Sequence, residues 1–343
     1  MRLGQPCGCL SRRGFISSAI AAGVAATTKS TLAAQPAFRV DVHHHLYPPE
    51  LLTRAAKVMP LLPLISGWRV EHSLEEMDAA GIKTSMLSLA MPGVAFETPE
   101  QARLLARLTN EYGAGLVREH QGRFGFFAIP PLPDVEGSLR EIEYAIDVLK
   151  ADGIGVFTNY PGNIWLGDPK FAPVYEELNR RKAVLYTHPN TADCCTNLTP
   201  GIADTVVEYG TSTTRSIATM VFGGFAKKYP DIKVIFSHAG GTMPYLIERF
   251  EFQAKSGKYP KEMPEGVHPA IEHFFYDTAQ ASNPEALGTL MKLVPSSQIV
   301  FGTDYPYRTC VEHVTNLRAM NLAAADLRAI ERDNAIRMLR GVG

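Results

Sequence analysis

The chain has 343 residues, 45% of them hydrophobic and 20% charged, with 34 basic against 35 acidic side chains and a formal charge of −1. This composition fits a globular protein with an apolar core and excludes a disordered chain. The balanced charge leaves no global field to draw in nucleic acid or an anionic membrane.

The first stretch reads as an export signal. Arg12 and Arg13 in SRRGFI precede a mildly apolar run, FISSAIAAGVAA, and a small-residue segment, TLAAQP. That layout is a twin-arginine signal peptide over residues 1–34, too short to span a bilayer comfortably. The expectation is a periplasmic protein, free of the membrane once cleaved after Ala33 or Ala34, with one catalytic domain over 35–343. This route is associated with proteins that load cofactors before export, which suits a metalloenzyme. Cleavage would remove Cys7 and Cys9 and leave Cys194, Cys195 and Cys310. The adjacent pair is poorly placed for an ordinary bridge, so no disulfide framework is expected, and no Cys-x-x-Cys zinc spacing occurs.

Beyond residue 37, apolar strand-like runs alternate with helical patterns. The strands expected are FRVDVHHHL (38–46), TSMLSLAM (84–91), FGFFAIPP (124–131), GIGVFTNY (153–160), AVLYTHP (183–189), KVIFSHAG (233–240), FFYDTA (274–279) and IVFGTDYP (299–306). Helical patterns between them include 99–121, 134–151 with Asp134 as its cap, and 173–182 with proline in the first turn. The proline-marked stretch 47–72 is long for a first βα connection and is expected to cap a barrel mouth. Eight strands alternating with helices is the count of an α/β (β/α)8 TIM barrel. A doubly wound open sheet is the alternative, but its first turn would be glycine-rich where this one is histidine-rich.

In FRVDVHHHLYPPE, strand alternation puts His43 and His45 on one face with Asp41, and His44 on the other. The tips of the later strands add His188 in YTHP, His238 in FSHAGG and Asp304 in FGTDYP. A single histidine at a strand end is ordinarily a hydrogen-bonded structural residue. Five groups at four tips of one barrel face instead read as a site, because catalysis in this fold sits at the C-terminal ends of the strands. Imidazoles with a carboxylate hold a divalent ion while leaving positions open. His44 is expected to be structural, and His72, His120, His268, His273 and His313 to be surface or packing residues.

These runs, with ELNRRKAVLYTHP, TTRSI and FSHAGGTMP, resemble the amidohydrolase superfamily and its aminocarboxymuconate-semialdehyde decarboxylase-like branch, of the 6-methylsalicylate decarboxylase type. The likeness covers residues 38–310, and the export signal is a departure from it. The resemblance implies a metal-dependent hydrolase-type barrel with His43, His45, His188 and Asp304 as ligands to one divalent ion, zinc first and manganese second. It implies His238 as an acid/base beside the metal, with Asp304 or His238 as the proton donor. It also implies Arg249 as an arginine reaching the substrate of a neighbouring subunit in a homodimer, a helix-surface role being the alternative, and Arg69 as a carboxylate clamp. Binuclear relatives need a bridging lysine at the fourth strand tip, where this chain has Thr158, Asn159 and Tyr160, so one metal is expected. The activity implied is decarboxylation of a small aromatic carboxylic acid without an organic cofactor. A mononuclear hydrolase of a lactone, ester or amide is the alternative, because both reactions use the same ligands; a metal-binding protein without turnover would have no use for His238.

Overall fold

The computed structural model describes residues 38–259, 263, 265–339 and 342; the expected signal peptide lies outside them. Eight parallel strands follow one another around a single sheet: β1 (Arg39–His45), β2 (Ile82–Ser88), β3 (Phe124–Ala128), β4 (Gly153–Phe157), β5 (Val184–His188), β6 (Lys233–Phe236), β7 (Phe275–Asp277) and β8 (Ile299–Val300). The last strand returns to the first. The Val42 amide donates to the Phe301 carbonyl at 2.9 Å, Asp304 N–H to the His43 carbonyl at 2.8 Å, and His45 N–H to the Tyr305 carbonyl at 2.8 Å. The expected barrel is therefore the fold observed.

The helices that follow the strands in turn are α1 (Val70–Ala80), α2 (Pro99–Glu119), α3 (Val135–Asp147), α4 (Ala172–Arg181), α5 (Glu208–Phe222), α6 (Ile247–Ala254), α7 (Leu287–Leu290) and α8 (Cys310–Ala319). Their starts follow local chemistry. Thr98 caps α2 by accepting from Gln101 N–H with Pro99 in the first turn, and Asp134 caps α3 by accepting from Gly137 N–H. Among the described residues no helix is long and apolar enough to cross a membrane.

Side-chain alternation divides the core in two. Val40, Val42, Met86, Phe127, Val184, Tyr186, Ile235 and Val300 form one cluster inside the barrel, joined by Ala335, Met338, Leu339 and Val342. Leu185, Val234, Phe236, Ile299 and Phe301, at the intervening positions, pack into the cluster shared with the helices. Burying each of these large side chains contributes about 1.5–3 kcal/mol. The inward positions of β5 run Val184, Tyr186, His188, so the third inward residue is already at the mouth.

In β1 the alternation breaks, which corrects one expectation. Val40 and Val42 are inward, yet His43 and His45 also converge on the mouth, and the pairing with β2 shifts register between Asp41 and His44. Asp41 therefore does not join His43 and His45. Its carboxylate meets His44 Nδ1 at 3.1 Å and accepts from the Thr303 hydroxyl at 2.6 Å, on the outer side of the barrel wall. His44 is buried and stacks on Tyr305 with ring centroids 4.8 Å apart, as a structural residue would.

Several strands are shorter than their apolar runs. β8 has only two residues because Gly302, Thr303 and Asp304 leave the ladder, and Asp304 sits in the left-handed region at φ 62°. A side chain at Gly302 would meet the His43 Cβ at 2.8 Å and the Asp277 Cβ at 3.2 Å, so the close approach of β8 to β1 requires glycine there.

Candidate metal centre

At the C-terminal mouth, His43 and His45 from β1, His188 from β5 and Asp304 after β8 are all buried, with one ligand atom each lying within 4.8 Å of the others. His43 Nε2 is 3.2 Å from His45 Nε2 and 3.0 Å from Asp304 Oδ1, and His45 Nε2 is 2.9 Å from the same oxygen. A tetrahedron with arms of about 2.0–2.1 Å has edges of about 3.3 Å, so these separations suit donors around one ion.

The far nitrogen of each ring is held. His43 Nδ1 lies 2.7 Å from Asp277 Oδ2, His45 Nδ1 3.2 Å from the Ser88 carbonyl, and His188 Nδ1 2.8 Å from the Pro189 carbonyl. Such partners fix which nitrogen faces a metal and keep the ring basic. The donor set and its supports thus fit a single divalent ion.

His238 follows β6 in a short turn at φ 55°, and its Nε2 is 3.3 Å from the second oxygen of Asp304. Gln280, at φ 50°, donates its amide to that same oxygen. Three site residues after consecutive strands therefore occupy the left-handed region, where non-glycine residues are uncommon and cluster at functional sites. Asp277 ties the site together: besides holding His43, it accepts from the backbone amides of His238 at 2.8 Å and Ala279 at 3.0 Å.

Electrostatics set the site up for a cation. Burial alone would lower the pKa of His43, but the carboxylates of Asp277 and Asp304 outweigh it and push it up to about 10. His188 is held well below its ordinary value by burial and by the neighbouring imidazoles His45 and His43, and burial also lowers His45. Burial would raise Asp304, yet the charge on His43 and hydrogen bonds from three histidines hold it well below the usual carboxylate range. Since a metal needs the neutral ring, loading must expel the His43 proton, which is held at any pH below about 10. Apparent metal affinity should then rise by about tenfold per pH unit from near neutrality towards that value. Competition against a chromophoric chelator at several pH values measures this; a flat profile would contradict the exchange of a proton for the metal.

Above the cluster lies a cavity of about 700 Å³, into which His188, His238, Gln280, Asp304, Tyr307 and Arg308 reach. Met59, Pro60, Leu61, Leu62 and Ile65 form part of its wall, so the 47–72 connection does cover the mouth as expected. Two arginines are implied by the resemblance, Arg69 as a carboxylate clamp at this mouth and Arg249 as a residue for a neighbouring subunit's site. Arg69 is exposed, with its guanidinium 3.4 Å from His72, and Arg249 is exposed on α6; neither lines the cavity. The cation at the mouth is Arg308, which the sequence did not single out. At the tip of β4, Thr158 and Asn159 hydrogen-bond to Asn190 instead of reaching the cluster.

The fold and the site define an eight-stranded barrel protein with a buried cluster of three histidines and one aspartate at its C-terminal mouth that could hold one metal ion. Residues 40–341 match the family described as amidohydrolase, and the chain belongs to it. It is 34% identical over 322 residues to decarboxylase yanB of Aspergillus niger, covering 88% of this chain and 87% of that one. It is also 34% identical over 279 residues to the 6-methylsalicylic acid decarboxylase of Penicillium expansum, covering 78% and 85%. A dihydroxybenzoic acid decarboxylase from a Polaromonas species, solved with manganese and 2-nitroresorcinol, shares the fold at a TM-score of 0.79 and 22% identity, over 88% of this chain and 96% of that one.

Proposed function

We propose that the protein is a metal-dependent, non-oxidative decarboxylase of a 2-hydroxybenzoate-like acid, of the 6-methylsalicylate type. The observation that carries this reading is an uncommitted imidazole, His238, beside a complete four-donor cluster at the floor of a cavity large enough for one aromatic ring. The relatives that cover most of the chain are decarboxylases, which favours carbon dioxide release over hydrolysis.

His43, His45, His188 and Asp304 would hold the ion, with zinc expected ahead of manganese. When bound, a divalent ion supplies positive charge for a substrate carboxylate and its ortho oxygen. The apolar wall at Met59, Leu61 and Ile65 would bury the ring. The pair formed by His238 and Asp304 would deliver a proton to the ring carbon that bears the carboxylate. The bond from that carbon to the carboxylate then breaks, its electrons restore the aromatic ring, and carbon dioxide leaves. One proton enters for each carbon dioxide released, so no oxidant or organic cofactor is required.

A homodimer is part of the proposal. Phe252 on α6 and Tyr245 in the short turn before it are 76% and 87% exposed, and Arg249 is exposed on the same helix between them in sequence. Apolar residues grouped this way suit an interface, and Arg249 within it is available to a neighbouring subunit's cavity. Export to the periplasm completes the proposal and rests on Arg12, Arg13 and the apolar run after them.

The test is a panel of 2-hydroxybenzoates offered to the metal-loaded protein without added cofactor. Carbon dioxide from at least one member is the expected result. Hydrolysis of a lactone or ester, with every hydroxybenzoate left intact, would replace this reading with a metal-dependent hydrolase.

A further inference from the structure

The segment that leaves β5 at His188 runs to the first turn of α5, and His188, Thr205, Val206, Tyr209 and Gly210 line the cavity. Midway along it, a short turn over Asp193–Cys195 carries two neighbouring cysteines. Their sulfurs are 2.6 Å apart; Cys194 is exposed and Cys195 buried. The turn is pinned on both sides: Cys194 N–H donates to Asn163 Oδ1 at 3.0 Å, and Gly162 N–H to Asp193 Oδ2 at 2.7 Å. Behind it, the Arg215 guanidinium lies 3.5 Å from the Cys195 sulfur and 3.4 Å from Glu208, the residue before Tyr209.

We propose that Cys194 and Cys195 form a reversible redox modification site, a vicinal dithiol that low-molecular-weight disulfides oxidise to an internal disulfide, and that its state is coupled to the adjoining cavity wall. Cys194 is the accessible sulfur and reacts first. Its thiolate attacks one sulfur of the oxidant, forming a mixed disulfide and releasing one thiolate. Cys195 then attacks the Cys194 sulfur, closing the internal bond and releasing the second thiolate. Two electrons pass from the cysteines to the oxidant, and the two cysteine protons go with the released thiols.

Position explains the order and the reversibility. The hydrogen bond with Cys194, followed by burial, raises the Cys195 thiol, while Arg215 acts to lower it. Once Cys194 is in the mixed disulfide, that restraint is gone and the arginine remains to favour the attacking thiolate. Adjacent residues across a trans peptide have Cα atoms about 3.8 Å apart, below the roughly 4.4–6.8 Å of ordinary bridges, so the closed form is strained and readily reduced. Bond formation also turns the Cys195 thiol that Arg215 contacts into a disulfide sulfur, which cannot become a thiolate partner for the guanidinium, weakening one of the ties beside Glu208 and Tyr209.

The experiment treats the full protein with oxidised glutathione and maps residues 183–215, which trypsin releases as one peptide holding both cysteines. The expected wild-type product has lost two thiols, carries no glutathione and is restored by dithiothreitol. Cys195→Ser should retain one glutathione on Cys194, and Cys194→Ser should stay unmodified in this peptide. A wild-type peptide that keeps glutathione, or two unreacted thiols, overturns the site. Amide hydrogen exchange over 205–210 should change on oxidation of the wild type and not in Cys194→Ser; a disulfide formed without that change overturns the coupling. Neither readout depends on the reaction the enzyme catalyses.

Discussion

Replacing His43, His45 or His188 by alanine is expected to abolish bound metal and activity together. Each ring supplies one donor to a four-donor cluster in which the other two rings and Asp304 are already committed. Of the polar groups around the cluster, Gln280 presents its amide N–H to Asp304, and one oxygen of Asp277 is held by two backbone amides. Loss of one ligand from such a site rarely leaves useful affinity. The His43 variant carries a further cost, since it leaves one oxygen of the buried Asp277 without its imidazole partner, a loss of about 1–3 kcal/mol or more. Metal content by atomic absorption, measured beside circular dichroism to establish that the barrel is intact, is the check. Full occupancy in a folded variant would remove that residue from the ligand set.

His238→Asn is expected to behave in the opposite way, keeping metal while losing turnover. His238 lies outside the four-donor cluster, with its Nε2 against the second oxygen of Asp304, and its backbone amide is anchored separately on Asp277. Asparagine fits the left-handed conformation that His238 adopts at φ 55°, so the turn should survive. It can still hydrogen-bond to Asp304 but cannot shuttle a proton. Losing a general acid or base usually lowers the rate by about 10²-fold or more, and kcat should fall by that amount with metal content unchanged. A variant that loses metal instead would make His238 a ligand.

What could be read from the chain followed simple periods. His43, His45, His188 and Asp304 were legible because each ends an alternating apolar run, and strand ends in a barrel meet at one mouth. Asp41 was misplaced for the same reason: strict alternation puts it with His43, and only the register shift after it, a feature of pairing with β2, moves it to the outer side. Asp277 stood in a recognised run, FFYDTA, but nothing local distinguishes a strand carboxylate that will hold a histidine from another beneath the mouth. Gln280 carries no titratable group and lies one residue past that run, so its bond to Asp304 arises purely from the fold. Arg308 is likewise brought to the cavity by the turn after FGTDYP, whereas Arg69, just before α1, and Arg249, on α6, which the resemblance implied, are exposed in the single chain.

The most direct measurement runs the reaction in deuterium oxide with the metal-loaded protein and a 2-hydroxybenzoate that it consumes, following the product by mass spectrometry and proton NMR. Protonation of the ring carbon by the pair formed by His238 and Asp304 predicts a single deuterium, placed at the carbon vacated by the carboxylate, in step with carbon dioxide released. Consumption of the acid with no deuterium at that carbon, or a product that retains the carboxylate, would contradict the account.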